Sequence, residues 1–138
     1  MKYLKLFESF QDLRDILLSE DGETVTELLE EDLDRLIDDG EFFDTDEYEI
    51  ITIGMRQSKC HSNSAAFYEN FINDENNSED EIEIVTGWAL LNGDWVQHSW
   101  LYLPFDGQII ETTSLKRELY YGIILNNKET ELFLYENY

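Results

Sequence analysis

The chain is predicted to be an α+β protein of one domain, with N-terminal helices and a cysteine-bearing helix packed on an antiparallel sheet of about four strands. Three observations predict this. Apolar residues recur at helical spacings between Lys2 and Gly40. Strand-type runs separated by Asn-Gly and Asp-Gly turns fill the C-terminal half. A length of 138 residues leaves room for one core of ordinary size. Hydrophobic residues make up 42% and aromatics 14%, enough apolar material to build that core despite 30% charged residues.

From Lys2 to Leu18, residues Leu6, Phe10, Leu13 and Leu17 fall on one stripe of an amphipathic helix. Gly22 breaks the pattern. Thr24 then caps a second helix, whose apolar face is Val25, Leu28, Leu29, Leu36 and Ile37 and whose end is Gly40; its other face is almost wholly acidic. These segments form a helical N-terminal part over residues 1–40, ahead of a core over residues 48–138. The run YEIITIG at 48–54 reads as a short strand or an extended lead-in. A helix begins near Cys60, with Ala65, Ala66, Phe67, Phe71 and Ile72 on its packed side, and the polar loop at 73–80 stops it.

From Glu81 onward the pattern is that of a sheet: EIEIVTGWALL, WVQHSWLYL, QIIETT, LYYGIIL and ELFLYENY. Asn92-Gly93 and the Pro104–Gly107 segment supply hairpin turns. Gly87 and Gly122 inside strands mark bulges or close packing, and Trp88, Trp95 and Trp100 read as core.

The charge balance restricts partners. Asp and Glu number 32 against 9 Lys and Arg, a formal net charge of -23, and such a field repels phosphate backbones and anionic membranes. No direct nucleic-acid contact and no membrane association are expected. Two readings of the charge stay open: a solubilising surface, or a negative surface that attracts a basic protein as substrate or partner, in the manner of a DNA mimic. One cysteine cannot form an internal disulfide, the N-terminus lacks the pattern of a secretion signal, and no apolar run is long enough to span a bilayer. A cytoplasmic setting is the expectation, with the oligomeric state left open.

The chemistry centres on KCHSNSAAFYENF, residues 59–71. A sulfur on Cys60 at a helix start would feel unpaired backbone N–H groups and the positive end of the helix dipole, both of which favour thiolate. A half-buried cysteine of no chemical use would suit the same place. His98 lies in the middle of WVQHSWLYL, on a strand face with Val96, Trp100 and Tyr102. A turn over Pro104–Gly107 pairs Leu103 with Gln108 and so sets His98 opposite Thr113, with Glu111 two residues along on the same face. A carboxylate there can hold the imidazole's tautomer, as the third member of a nucleophile, base and orienting-acid set does. His61 reads as a solvated residue of the first helical turn. Cys60, His61 and His98 are zinc-type donors, but adjacent residues seldom point at one metal and no paired ligand spacing accompanies them. No metal and no cofactor are expected.

A cysteine opening a helix, a mid-strand histidine and an acid near the end of the next strand, in that order, resemble the papain-like and transglutaminase-like cysteine enzymes. The strings KCHSNSAAFYE, TGWALLNGDWVQHSWLYLPFDGQIIETT and YYGIIL are also similar to a group of small bacterial and phage proteins without assigned activity, and MKYLKLFESF is similar to openings of tailed-phage proteins. The resemblance implies Cys60 as nucleophile, His98 as base and Glu111 as orienting acid, in a thiol-dependent hydrolase, deamidase or acyltransferase acting on an amide. Gln57 is a candidate oxyanion donor by the same resemblance, alongside the backbone N–H of Cys60. The alternative is a non-catalytic acidic protein, such as a phage-type inhibitor or DNA mimic, in which the negative field is the functional part.

Overall fold

The computed structural model describes residues 2–25, 33–57, 59–77 and 81–138, with side chains from Phe10 onward. In chain order the elements are α1 (Lys2–Glu20), β1 (Thr24–Val25), α2 (Leu33–Asp39), β2 (Glu41–Asp44), β3 (Glu49–Thr52), α3 (Cys60–Ile72), a 3₁₀ turn (Glu75–Asn77), β4 (Glu83–Leu91), β5 (Asp94–Leu103), β6 (Gln108–Glu111), β7 (Leu119–Ile124) and α4 (Asn127–Asn137). The class is α+β. No helix among the described residues is long and apolar enough to cross a membrane.

The sheet is larger than the expected four strands. Its described order is β2-β7-β4-β5-β6-β3, with β1 pairing the start of β5, which makes seven strands among the described residues. The expected strands form the antiparallel centre, while β3 joins β6 and β1 joins β5 in parallel, so the sheet is mixed. The four-residue strand EFFD was missed because it follows Gly40 directly and is too short to show a period.

Two helical expectations also change. Thr24 and Val25 do not open a helix: they lie in β1, paired with Asp94 and Trp95, and α2 starts only at Leu33. Leu28 and Leu29 fall outside the described residues, as does the side chain of Leu6. The run ELFLYENY, read as a strand, lies in α4. Asn126 caps that helix: its side chain accepts from the Glu129 N–H at 2.8 Å, while the Glu129 carboxylate accepts the Asn126 N–H at 3.0 Å. With β7 already flanked by β2 and β4, a further strand would find no open edge beside it, and the capping box turns the chain into a helix instead.

The end strands β2 and β3 are joined by only residues 45–48, so the sheet curls until its two edges approach. The aromatic contacts show this: Phe43 of β2 lies 5.6 Å, ring centre to ring centre, from Tyr48 at the entry to β3 and 5.6 Å from Tyr102 of β5. The concave face holds Phe43, Val85, Ala89, Trp100, Ile109 and Tyr120. The convex face carries Trp88, Trp95, Leu101, Tyr121 and Ile123, covered by Phe10, Leu13 and Leu17 of α1 and Leu33 and Leu36 of α2, with Phe67 and Phe71 of α3 packed alongside. All three tryptophans are fully buried.

Gly87 and Gly122 stand directly opposite each other across β4 and β7, in an unbroken register. They mark close packing rather than a bulge. A Cβ on Gly87 would meet the Tyr121 carbonyl oxygen at 2.1 Å, and one on Gly122 would meet the Thr86 carbonyl oxygen at 2.5 Å. Neither backbone oxygen can move without breaking the ladder. Gly87→Ala is therefore expected to destabilise the fold by about 2–3 kcal/mol, as forced overpacking does, measured as a shift of the urea midpoint. Asn92 and Gly93, both at positive φ, make the tight β4–β5 hairpin that sets the register bringing Gly87 beside His98.

Candidate active site

Three chain segments meet at one end of the curled sheet, and topology dictates the meeting. β6 runs antiparallel to β5, with Leu103 opposite Gln108 and Leu101 opposite Ile110, so the chain leaves β6 heading toward the start of β5. To reach β7, on the far side of β4, residues 112–118 must then cross the ends of β5 and β4; the Glu118 N–H bonds the Leu90 carbonyl on the way. The segment from β3 to α3 arrives at the same end, with Ile53 N–H on the Glu111 carbonyl and Met55 N–H on the Thr112 carbonyl. That segment delivers Cys60 as the first residue of α3, which packs on β5.

The side chains of Cys60, His98 and Glu111 are brought together. His98 is 2% exposed and its Nε2 lies 2.7 Å from Glu111 Oε1, the diagonal contact that the register predicts. With Nε2 committed to the carboxylate, Nδ1 is the ring nitrogen left for the half-buried Cys60, whose thiol hydrogen-bonds His98. The Cys60 sulfur also receives a backbone hydrogen bond from Ser99.

Burial pushes the Cys60 thiol up, but the hydrogen bond and positive charge of His98, helped by Ser99, outweigh it and leave the thiol below its ordinary value. Burial lowers His98, and its bonds to Cys60 and Glu111 more than reverse that, so the imidazole is raised. Glu111 would be raised by burial, yet His98, Thr113 and Tyr120 hold it below the usual carboxylate range. All three directions favour a thiolate–imidazolium pair braced by a carboxylate.

Glu111 is held from every side. Oε1 accepts from His98 and from the Tyr120 hydroxyl at 2.9 Å; Oε2 accepts from the Thr113 N–H at 3.1 Å and the Thr113 hydroxyl at 2.8 Å. The Tyr120 phenol is raised in return, by burial first and then by the Glu111 charge, so it stays a donor. Sequence reasoning did not find Tyr120, because its approach to Glu111 depends on β7 returning to the far side of β4. It placed Thr113 opposite His98 without giving it a role.

A cleft of about 360 Å³ opens over the sulfur, lined by Gln57, Cys60, Val96, Gln97, His98, Thr113, Leu115 and Arg117. Gln57 does line it, with its amide donating to the Ser114 hydroxyl at 2.8 Å. The backbone N–H of Cys60, in the first turn of α3 and with no side-chain cap from Lys59, has no acceptor within the helix.

His61 departs from expectation. It is partly buried rather than solvated, hydrogen-bonded through Nδ1 to the Ser99 hydroxyl and set edge-on to Phe133 of α4. Burial first, and then the His98 charge, lower its imidazole, so it is neutral near pH 7. It points away from the cleft, because Cys60 and His61 straddle β5, one toward the His98 side and the other toward the Ser99 side chain. Among the described residues, no group of three or more His, Cys, Asp or Glu side chains is arranged to hold a metal ion. No protein-family model, curated protein or solved structure matches this chain.

Proposed function

We propose that the protein is a thiol-dependent enzyme acting on an amide through a Cys60 acyl-enzyme. One observation carries the reading: the sulfur, imidazole and carboxylate form a continuous hydrogen-bonded chain whose sulfur end faces an open cleft. A structural cysteine needs neither the braced imidazole nor the opening. The same Cys, His, acid order is that of the papain-like and transglutaminase-like enzymes that the sequence resembles.

In this reading the Cys60 thiolate attacks the amide carbonyl, forming a carbon–sulfur bond while the oxygen takes the negative charge. The Cys60 N–H, with Gln57 as a second donor, stabilises that oxyanion. The imidazolium of His98 passes its proton to the amide nitrogen, the carbon–nitrogen bond breaks, and the amine or ammonia leaves. Water or an acceptor amine, deprotonated by His98, then attacks the thioester and regenerates the thiolate. Glu111 keeps Nε2 protonated and the ring aimed throughout, without itself taking the proton. Hydrolysis, deamidation and acyl transfer share this course up to the thioester.

The test is the rate of Cys60 alkylation by iodoacetamide at neutral pH in the wild type and in His98→Ala. A rate equal in both, and no faster than an unactivated thiol, would remove the catalytic reading.

The net charge of -23 supports a second reading, an acidic interaction protein that occupies the surface of a basic partner. It predicts binding to a polylysine peptide that weakens steeply between 50 and 200 mM salt, as screening requires (on the order of tenfold or more), and that is indifferent to Cys60→Ser. Fluorescence anisotropy across a salt series reads both.

A further inference from the structure

The β6–β7 crossover brings to the cleft a cation that the chemistry above does not use. Arg117 lines the cleft with only 11% of its side chain exposed, in a chain where acidic residues outnumber basic ones 32 to 9. Its obvious partner is Glu111, but a carboxylate offers about four acceptor positions. All of these are taken, by His98, the Tyr120 hydroxyl and the two Thr113 donors. Accordingly Arg117 Nε stops 3.7 Å from Glu111 Oε1, beyond hydrogen-bond length, and is buried with no hydrogen-bond partner. One described side-chain bond, from Nη2 to Thr113 Oγ1 at 3.3 Å, engages a group with about five N–H donors. A guanidinium so placed is tethered yet under-satisfied.

We propose, resting on the thiol-enzyme reading, that Arg117 recognises a carboxylate that the substrate carries close to the scissile amide. Guanidinium and carboxylate match as planar two-pronged partners, and one cation balances one carboxylate. Apart from the Cys60–His98 pair, the remaining lining is neutral or apolar, with Gln57, Gln97, Val96 and Leu115 to hold the rest of the group. The acidic exterior does not contradict this, since it acts on the substrate as a whole at long range, whereas Arg117 acts at contact.

The experiment compares second-order rates of Cys60 alkylation by iodoacetate and iodoacetamide, probes of similar size that differ in carboxylate against amide. Both form a sulfur–carbon bond and release iodide. The iodoacetate to iodoacetamide ratio is expected to be about tenfold higher in wild type than in Arg117→Gln, as loss of a charge-assisted hydrogen bond implies. Arg117→Lys, which keeps the charge without the fork, should fall between. Lys128→Gln, which removes an exposed cation outside the cleft, should keep the wild-type ratio. A ratio unchanged in both Arg117 variants, or lowered as much by Lys128→Gln, would overturn the proposal. An iodoacetamide rate in wild type no faster than that of an unactivated thiol would instead overturn the thiol-enzyme reading, whatever the ratio.

Discussion

His98→Ala is expected to slow alkylation of Cys60 at pH 7, by about tenfold for each unit by which loss of the imidazole raises the thiol pKa. The magnitude follows from which influences on the thiol survive. His98 supplies both the hydrogen bond and the positive charge that lower the thiol, and without them burial, which raises it, is opposed only by the Ser99 backbone. A thiol at or above the ordinary value of 9.0 is no more than about 1% thiolate at pH 7. The pH profile separates this from a general loss of structure. In the wild type the rate should climb through a pKa below 9.0, whereas in the variant it should climb only at or above 9.0, to a similar plateau at high pH. A profile that does not move would show that the imidazole leaves the sulfur unactivated. Far-ultraviolet circular dichroism on the same samples checks that the variant is folded.

Glu111→Gln is expected to cost the fold about 3 kcal/mol, the range found when one partner of a buried, hydrogen-bonded ion pair is removed. Glutamine has nearly the same shape, but its amide nitrogen would face donors: Thr113 on one side, or His98 and Tyr120 on the other. For a chain of this length the melting temperature should fall by roughly 10 °C. The pH dependence has a definite sign. The folded-state pKa of Glu111 lies below its ordinary 4.5, so its contribution is fully present above 4.5 and is lost as pH falls through the lower folded value. The gap between wild type and Glu111→Gln should thus narrow on acidification below 4.5. His98 acts at the other end: its pKa is raised, so its contribution is full below 6.5 and is lost as pH rises through the higher folded value. Denaturation midpoints measured from pH 3 to 8 on both proteins read the two arms, and a gap constant down to pH 3 would contradict the assigned charge on Glu111.

The substrate reading joins two scales. Long-range repulsion from 32 acidic residues favours a basic polypeptide, whereas the cleft itself offers one under-satisfied guanidinium. A carboxylate displayed on an otherwise basic surface satisfies both.

What was legible in the sequence was local. The stripe of α1, the Asn92-Gly93 turn and the Leu103 to Gln108 register depend on neighbours a few residues apart, and that register was enough to set Glu111 on the same face as His98. The helix that begins at Cys60 was legible for the same reason. Tertiary structure alone decided the rest, because it depends on which strands find one another across long separations. The curling of the sheet follows from β2 and β3 sitting at opposite edges while joined by a short turn. The crossing of residues 112–118 over the strand ends follows from β7 pairing with β4 instead of β6. That crossing is what places Tyr120 against Glu111 and Arg117 in the cleft, and no periodicity in the chain encodes it. The misread last segment has the same origin: ELFLYENY has the apolar content of a strand, but an edge to pair with exists only if the sheet leaves one open, and here β2 and β4 already flank β7.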